Sequence, residues 1–173
     1  MLYFHCTQKL LRALNLPIQA PPKESGSSPL GVWYTNIIVI NNMIFLLFVN
    51  DPALYTVVLH FSSMPNSAQI FKTFRENLAT SLASDGINQR IIQHLLENHE
   101  QGVFVKTTSR SMLGSMNDLM DIFLFHLERD VTDCNQIDLH KIQSALNRIP
   151  QRKIDWQFSV DAVHGSLQYL KVA

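Results

Sequence analysis

Arg110-Ser111-Met112-Leu113-Gly114-Ser115-Met116-Asn117-Asp118 is the stretch richest in chemistry-bearing side chains. It offers a guanidinium, two hydroxyls, an amide and a carboxylate, and Asp121 adds a second acid shortly after. The run is predicted to join a strand to a helix, so the first helical amides and Arg110 would hold a phosphate or carboxylate. Asn117, Asp121 and Glu128 fall on one helical strip, bordering an apolar arc of Met116, Met120, Phe123, Leu124 and Leu127. The candidate ligand-binding set is therefore Arg110, Ser111, Ser115, Asn117, Asp118 and Asp121. A plainer reading stands beside it. Ser115 to Asp118 fits a capping box, Gly114 would permit the turn before it, and Arg110 would pair with Asp118 or Asp121.

Other groupings carry less. Lys141, Arg148, Arg152 and Lys153 follow one another with no acid between Lys141 and Lys153, a candidate basic patch for a partner or nucleic acid. The plain alternative is a solvated helix face and the loop after it. Ser111 and Ser115 are nucleophile types, but GxSxG and SxxK are absent. His94 and His99 would project about 140° apart on a helix, and His126 with Asp130 makes only half a metal site. No metal and no cofactor is expected, since HExxH, Walker and GxGxxG patterns are all missing.

These residues need elements to position them. Leu2–His5 reads as a short strand, and Thr7 as the cap of a helix through Leu14. Residues 15–30 carry four prolines and Ser25-Gly26-Ser27-Ser28, a long loop. From Gly31 to Ser63 the only charged residue is Asp51. Trp33–Ile40, Met43–Val49 and Tyr55–Phe61 form three β-branched and aromatic runs, with Asn41-Asn42 suited to a hairpin turn. An antiparallel meander over about 31–61 is expected, both faces covered because the runs are almost continuously apolar. The period then changes to that of helices, with Ser67 as a cap, two helices before Gly102, a strand over 103–107 and a long helix reaching about Arg129. A short helix over 138–148 ends at Pro150. The fold class is α+β, with strands near 2–5 and 103–107 added to the meander and several helices packed on it. Residues 1–150 are read as one domain, and 151–173 as an extension packed on it.

Several pieces together carry a family likeness. Phe4-His-Cys-Thr-Gln-Lys-Leu10, Gly31-Val-Trp-Tyr-Thr-Asn36, Leu47-Phe-Val-Asn-Asp51, Phe74-Arg-Glu-Asn-Leu78 and Arg110–Leu119 occur in order over roughly residues 2–150. With its Arg-Ser-x-Leu-Gly-Ser-Met-Asn-Asp motif, the chain resembles a family of small bacterial proteins of uncharacterised function, often plasmid-related. The resemblance implies a bacterial intracellular protein associated with mobile elements. It brings no activity, cofactor or catalytic residue.

Composition narrows the functional classes. The chain has 173 residues, with 14 Lys+Arg balancing 14 Asp+Glu, and 46% of its residues are hydrophobic. Its 16% charged fraction lies below the roughly 25% usual for soluble domains. Disorder and coiled coils are excluded, and bulk electrostatic attraction to nucleic acid or membrane is disfavoured. No signal peptide is read at the N-terminus, and the longest apolar run, Met43–Val49, is far too short to span a membrane. Cys6 and Cys134 belong to no paired motif and read as thiols of a reducing, cytoplasmic setting. The first functional reading is a non-catalytic binding or regulatory module with a groove at 109–121, acting through a protein partner or self-association. Its rival is an enzyme or binder acting on a phosphorylated small molecule or nucleic-acid end.

Overall fold

A computed structural model describes residues 1–22, 28–97, 101–134 and 137–170, without side-chain surroundings for 131–134. The Ser25–Ser27 part of the expected loop, His99 and the Cys134 side chain therefore lie outside the described residues.

The first strand, β1 (Leu2–Cys6), leads into helix α1 (Gln8–Ala13). Thr7 caps α1 as expected, its hydroxyl accepting from the Leu10 amide at 3.3 Å. Strands β2 (Val32–Ile40), β3 (Met43–Asp51) and β4 (Thr56–Phe61) make the antiparallel meander. Asn41 and Asn42 turn between β2 and β3 with φ of 49° and 63°, values that asparagine tolerates better than most residues. Helices α2 (Ser67–Ser84) and α3 (Gln89–Glu97) follow. Asn66, not Ser67, caps α2, because Gln69 can return a bond to the Asn66 amide and close a reciprocal box. Then come β5 (Gly102–Lys106), the long helix α4 (Arg110–Cys134) and α5 (Leu139–Leu146). The chain ends its described course in a small hairpin, β6 (Pro150–Gln151) and β7 (Gln157–Phe158), and in α6 (Ser159–Leu167).

The five-stranded sheet runs β4-β3-β2-β1-β5 and is mixed, which corrects the expected meander-only pairing. β1 lies parallel to both β2 and β5, with Phe4 opposite Trp33 and Phe104. The reason is the connection. α1 carries the chain back over the sheet before β2 begins, and such a crossover returns a strand in the same direction as the one it left.

Alternation along the strands divides the core between two faces. On one, Phe4, Trp33 and Phe48 surround Phe74 of α2, with ring centroids 5.0, 4.9 and 4.7 Å away. On this face Leu10 and Leu11 of α1, Ile92 of α3, and Val163 and Leu167 of α6 are also buried. On the other face Tyr34, Phe45 and Val49 meet Met112, Met116, Leu119 and Phe123 of α4 and Ile142 and Leu146 of α5. Burying large apolar side chains of this kind stabilises by roughly 1.5–3 kcal/mol each.

Edge strand β4 is closed by amide side chains of α5 and of Asn147, the residue that caps its end. Asn147 accepts from the Thr56 amide at 2.7 Å and donates to the Thr56 carbonyl at 2.9 Å. Gln143, one helical turn earlier, accepts from the Val58 amide at 2.8 Å and donates to the Ser81 hydroxyl. Together they replace a missing neighbouring strand.

Candidate functional site

α4 begins six residues earlier than the capping reading requires, at Arg110 instead of Met116. Ser109 is its cap, accepting from the Met112 amide at 3.2 Å, and the Ser109 carbonyl receives the Leu113 amide, also at 3.2 Å. Ser115 to Asp118 therefore lie inside the helix, where Ser115 donates back to the Ser111 carbonyl at 3.4 Å, and no capping box forms there. The apolar stripe explains the early start, since Met112 already belongs to the buried row with Met116 and Leu119.

The six candidate residues separate onto two flanks of α4. Ser111, Ser115 and Asp118 fall within an arc of about 60°, while Arg110, Asn117 and Asp121 occupy another arc about 100° away. The first flank lines a groove of about 360 Å³, completed by Leu54 and by Gln151, Arg152 and Lys153 from the β6–β7 hairpin. Two of the four basic-patch residues thus face three of the six helix candidates. The second flank is exposed at all three residues, on the side of α4 away from the buried row of Met112, Met116 and Leu119. Met120, adjacent to Asp121, receives the Asn36 amide group at 3.1 Å, and Asn36 in turn accepts from the Thr7 hydroxyl at 2.7 Å.

The basic residues differ in their pairing. Arg148 donates to Asp85 at 2.7 Å and to the Ser144 hydroxyl at 2.6 Å. Asp85, its side chain only 8% exposed, also accepts from the Tyr55 hydroxyl at 2.5 Å, so Arg148 is committed to structure. Burial first, then the Asp85 hydrogen bond, pushes the Tyr55 phenol well up. Lys153 reaches Asp51 at 3.5 Å and also touches the Met112 sulfur. Lys141 and Arg152 are exposed, and Arg152 sits at the groove.

Sequence reasoning did not single out the hairpin aromatics or His5. Asp155 and Trp156 turn the hairpin with φ of 55° and 63°, holding Trp156 67% and Phe158 41% exposed. The readable signal was an alternating Trp156-Phe158 pair followed directly by a helix. His5 sits in β1 opposite Tyr34, 7% exposed, and neither ring nitrogen has a hydrogen-bond partner among the described residues. Its signal was a titratable ring inside an apolar strand.

Burial holds the His5 imidazole below its ordinary 6.5. The unfolded chain therefore takes up this proton first as pH falls, and stability present above about 6.5 is lost as pH drops through the folded value. Denaturant unfolding between about pH 8 and pH 5 should show that loss, and His5→Phe should flatten it. Equal slopes for the two proteins would place the titrating group elsewhere.

A larger cavity of about 420 Å³ opens between α2 and α3, lined by Phe71, Lys72, Arg75, Glu76, Ala79 and Leu96. Its guanidinium is engaged, since Arg75 donates to the Leu96 carbonyl at 2.9 Å and lies 5.7 Å from the Phe71 ring centre. Among the described residues no three His, Cys, Asp or Glu side chains gather as a metal site would require, and no helix is long and apolar enough to cross a membrane. Cys6 is a buried free thiol, and burial raises it far above its ordinary value.

The architecture defines a mixed α/β domain with a polar groove between its longest helix and a terminal hairpin. Residues 3–162 match the model of a family described as a domain of unknown function (DUF6933), and the chain belongs to that family. No curated protein matches it. Among solved structures, a chain of the simian T-cell lymphotropic virus intasome in complex with PP2A regulatory subunit B56 gamma aligns at 15% identity and a TM-score of 0.43. That alignment covers 84% of this chain and 58% of the other's length.

Proposed function

We propose that this protein is a non-catalytic binding module whose contact surface is the α4–hairpin groove. One observation carries the reading: Ser111, Ser115 and Asp118, chosen for their chemistry on one segment, meet Arg152 and Lys153, chosen on another, around a single groove. The lining holds hydroxyls, a carboxylate, an amide and two cations, a set suited to a mixed-charge partner surface. Trp156 and Phe158 stand exposed on the same hairpin, and Trp and Arg are the residues that most often dominate protein interfaces. Among the described residues, Ser115 of the groove donates to the Ser111 carbonyl. A bacterial, cytoplasmic setting with plasmid association belongs to the same reading and rests on the motif resemblance.

The test compares wild type with an Arg152→Ala/Trp156→Ala variant. Sedimentation equilibrium over a concentration series reports self-association, and pull-down from the source cells reports a partner. The wild type should do one or the other, and the variant should bind at least about tenfold more weakly, the loss of a hot-spot pair. A strictly monomeric wild type with no captured partner, or equal binding by both proteins, would refute the proposal.

A further inference from the structure

The groove between α4 and the hairpin carries both signs of charge, one on each wall. Asp118 belongs to the helix wall and Arg152 to the hairpin wall. Both are exposed, and the ion pairs found among the described residues, Arg148–Asp85 and Lys153–Asp51, involve neither. Lys153, the other cation of the lining, is offset by Asp51. One carboxylate and one guanidinium therefore remain for an occupant to answer. A phosphate or an acidic peptide entering here would meet Asp118 as well as Arg152, and a basic segment would meet the reverse conflict. The surface that suits both walls brings a cation to Asp118 and an anion to Arg152.

Beside the groove stands a ridge. Trp156 and Phe158 are exposed on the hairpin that forms one wall. Three bonds fix that hairpin to the body of the domain and to itself. The Trp156 amide donates to the Gln151 carbonyl at 2.9 Å, and the Val160 amide to the Asn147 carbonyl at 3.2 Å. The Ser159 hydroxyl donates to the carbonyl of Leu54, itself a groove residue, at 3.1 Å. Cleft and ridge are thus tied at a fixed separation, and a surface ordered in advance loses little entropy on association. Large aromatics exposed beside a cleft are the residues enriched at protein interfaces.

We infer that the occupant of the groove is a second copy of this chain, related by a two-fold axis beside the hairpin. The inference rests on the groove being the contact surface. A two-fold contact is isologous, so a pairing made once is made again on the other side of the axis. Asp118 of one copy then faces Arg152 of the other, twice per dimer. Each hairpin lies along the other copy's α4, where Trp156 and Phe158 leave water. With 14 basic residues against 14 acidic, the copies carry no net charge to hold them apart.

Sedimentation equilibrium of the full chain over a concentration series tests the pairing, using wild type, Asp118→Arg, Arg152→Asp and an equimolar mixture of the two variants. Wild type should show a monomer–dimer equilibrium. Each reversal sets like charges together at both contacts, so either variant alone should dimerise at least about a hundredfold more weakly. The mixture should pair to within about tenfold of wild type, because one variant then brings both cations of each contact and the other both anions. Trp156→Ala leaves the charges in place and should weaken the dimer by about tenfold, which keeps the test decisive if a reversal disturbs α4. A monomeric wild type, dimerisation unaffected by the reversals, or a mixture that does not pair again would overturn the inference. A monomeric wild type whose groove captures a different protein, lost in Arg152→Ala/Trp156→Ala, overturns the self-pairing and leaves the groove as a contact surface. Dimers indifferent to all three substitutions, with no partner captured, overturn both.

Discussion

Replacing Gly31 by alanine is expected to be the most damaging single methyl addition in the chain. Gly31 has a φ of +73°, in the left-handed region that costs an L-residue about 1–2 kcal/mol. A Cβ built there would lie 2.0 Å from the Asp51 carbonyl oxygen and 3.1 Å from Pro52 Cδ. The first obstacle is backbone, which cannot swing aside as a side chain does. It also belongs to a tied corner. The Asn50 side chain donates to the Leu30 carbonyl at 2.8 Å and accepts from the Tyr55 amide at 2.7 Å, holding the β3–β4 turn against the entry to β2. Moving Asp51 to admit the methyl disturbs these bonds and the Lys153 contact together. The expected loss is about 4 kcal/mol, in the range reserved for backbone strain and steric conflict. Equilibrium denaturation would measure it. An alanine variant within 1 kcal/mol or so of wild type would show that the corner relaxes freely.

The second large effect is expected at Asn147. Asn147→Ala removes an acceptor from the Thr56 amide and a donor from the Thr56 carbonyl, both buried. Each unpartnered group costs about 1–3 kcal/mol, so roughly 3 kcal/mol is expected for the pair. The consequence reaches beyond stability, because β4 is the edge of the sheet and Asn147 with Gln143 blocks it. The variant should therefore also aggregate more readily during thermal unfolding, as uncovered edges do. Light scattering alongside calorimetry separates the two effects. A lowered melting temperature without added scattering would mean that α5 covers the edge by packing alone.

The contrast between these positions and the rest shows what could be read in advance. Trp33–Ile40 and Met43–Val49 announced β2 and β3 because strand alternation is local, and Asn41-Asn42 marked their turn. The parallel placement of β1 was hidden, since it depends on how α1 crosses the sheet, and no residue of Leu2–Cys6 records its partner. The start of α4 was legible in Met112, which extends the buried stripe, yet Ser115 to Asp118 offered a more familiar cap pattern. The grouping of Ser111, Ser115 and Asp118 with Arg152 and Lys153 was out of reach, because a hairpin turned by Asp155 and Trp156 brings distant segments together. Arg148 misled for the same reason. Its partner Asp85 is 63 residues away, and no neighbour in sequence predicts the pair.

Whether the groove is a contact surface can be measured by placing a photoreactive phenylalanine analogue at Ser115, at Trp156, or at the exposed Lys72 on the α2 side. After irradiation in the source cells, the adducts are resolved by mass. A discrete adduct, either a second copy of the chain or one partner, is expected from Ser115 and Trp156 and not from Lys72. Adducts from Lys72 alone, or none from Ser115 and Trp156, would place the contact surface elsewhere and remove the function proposed for the groove.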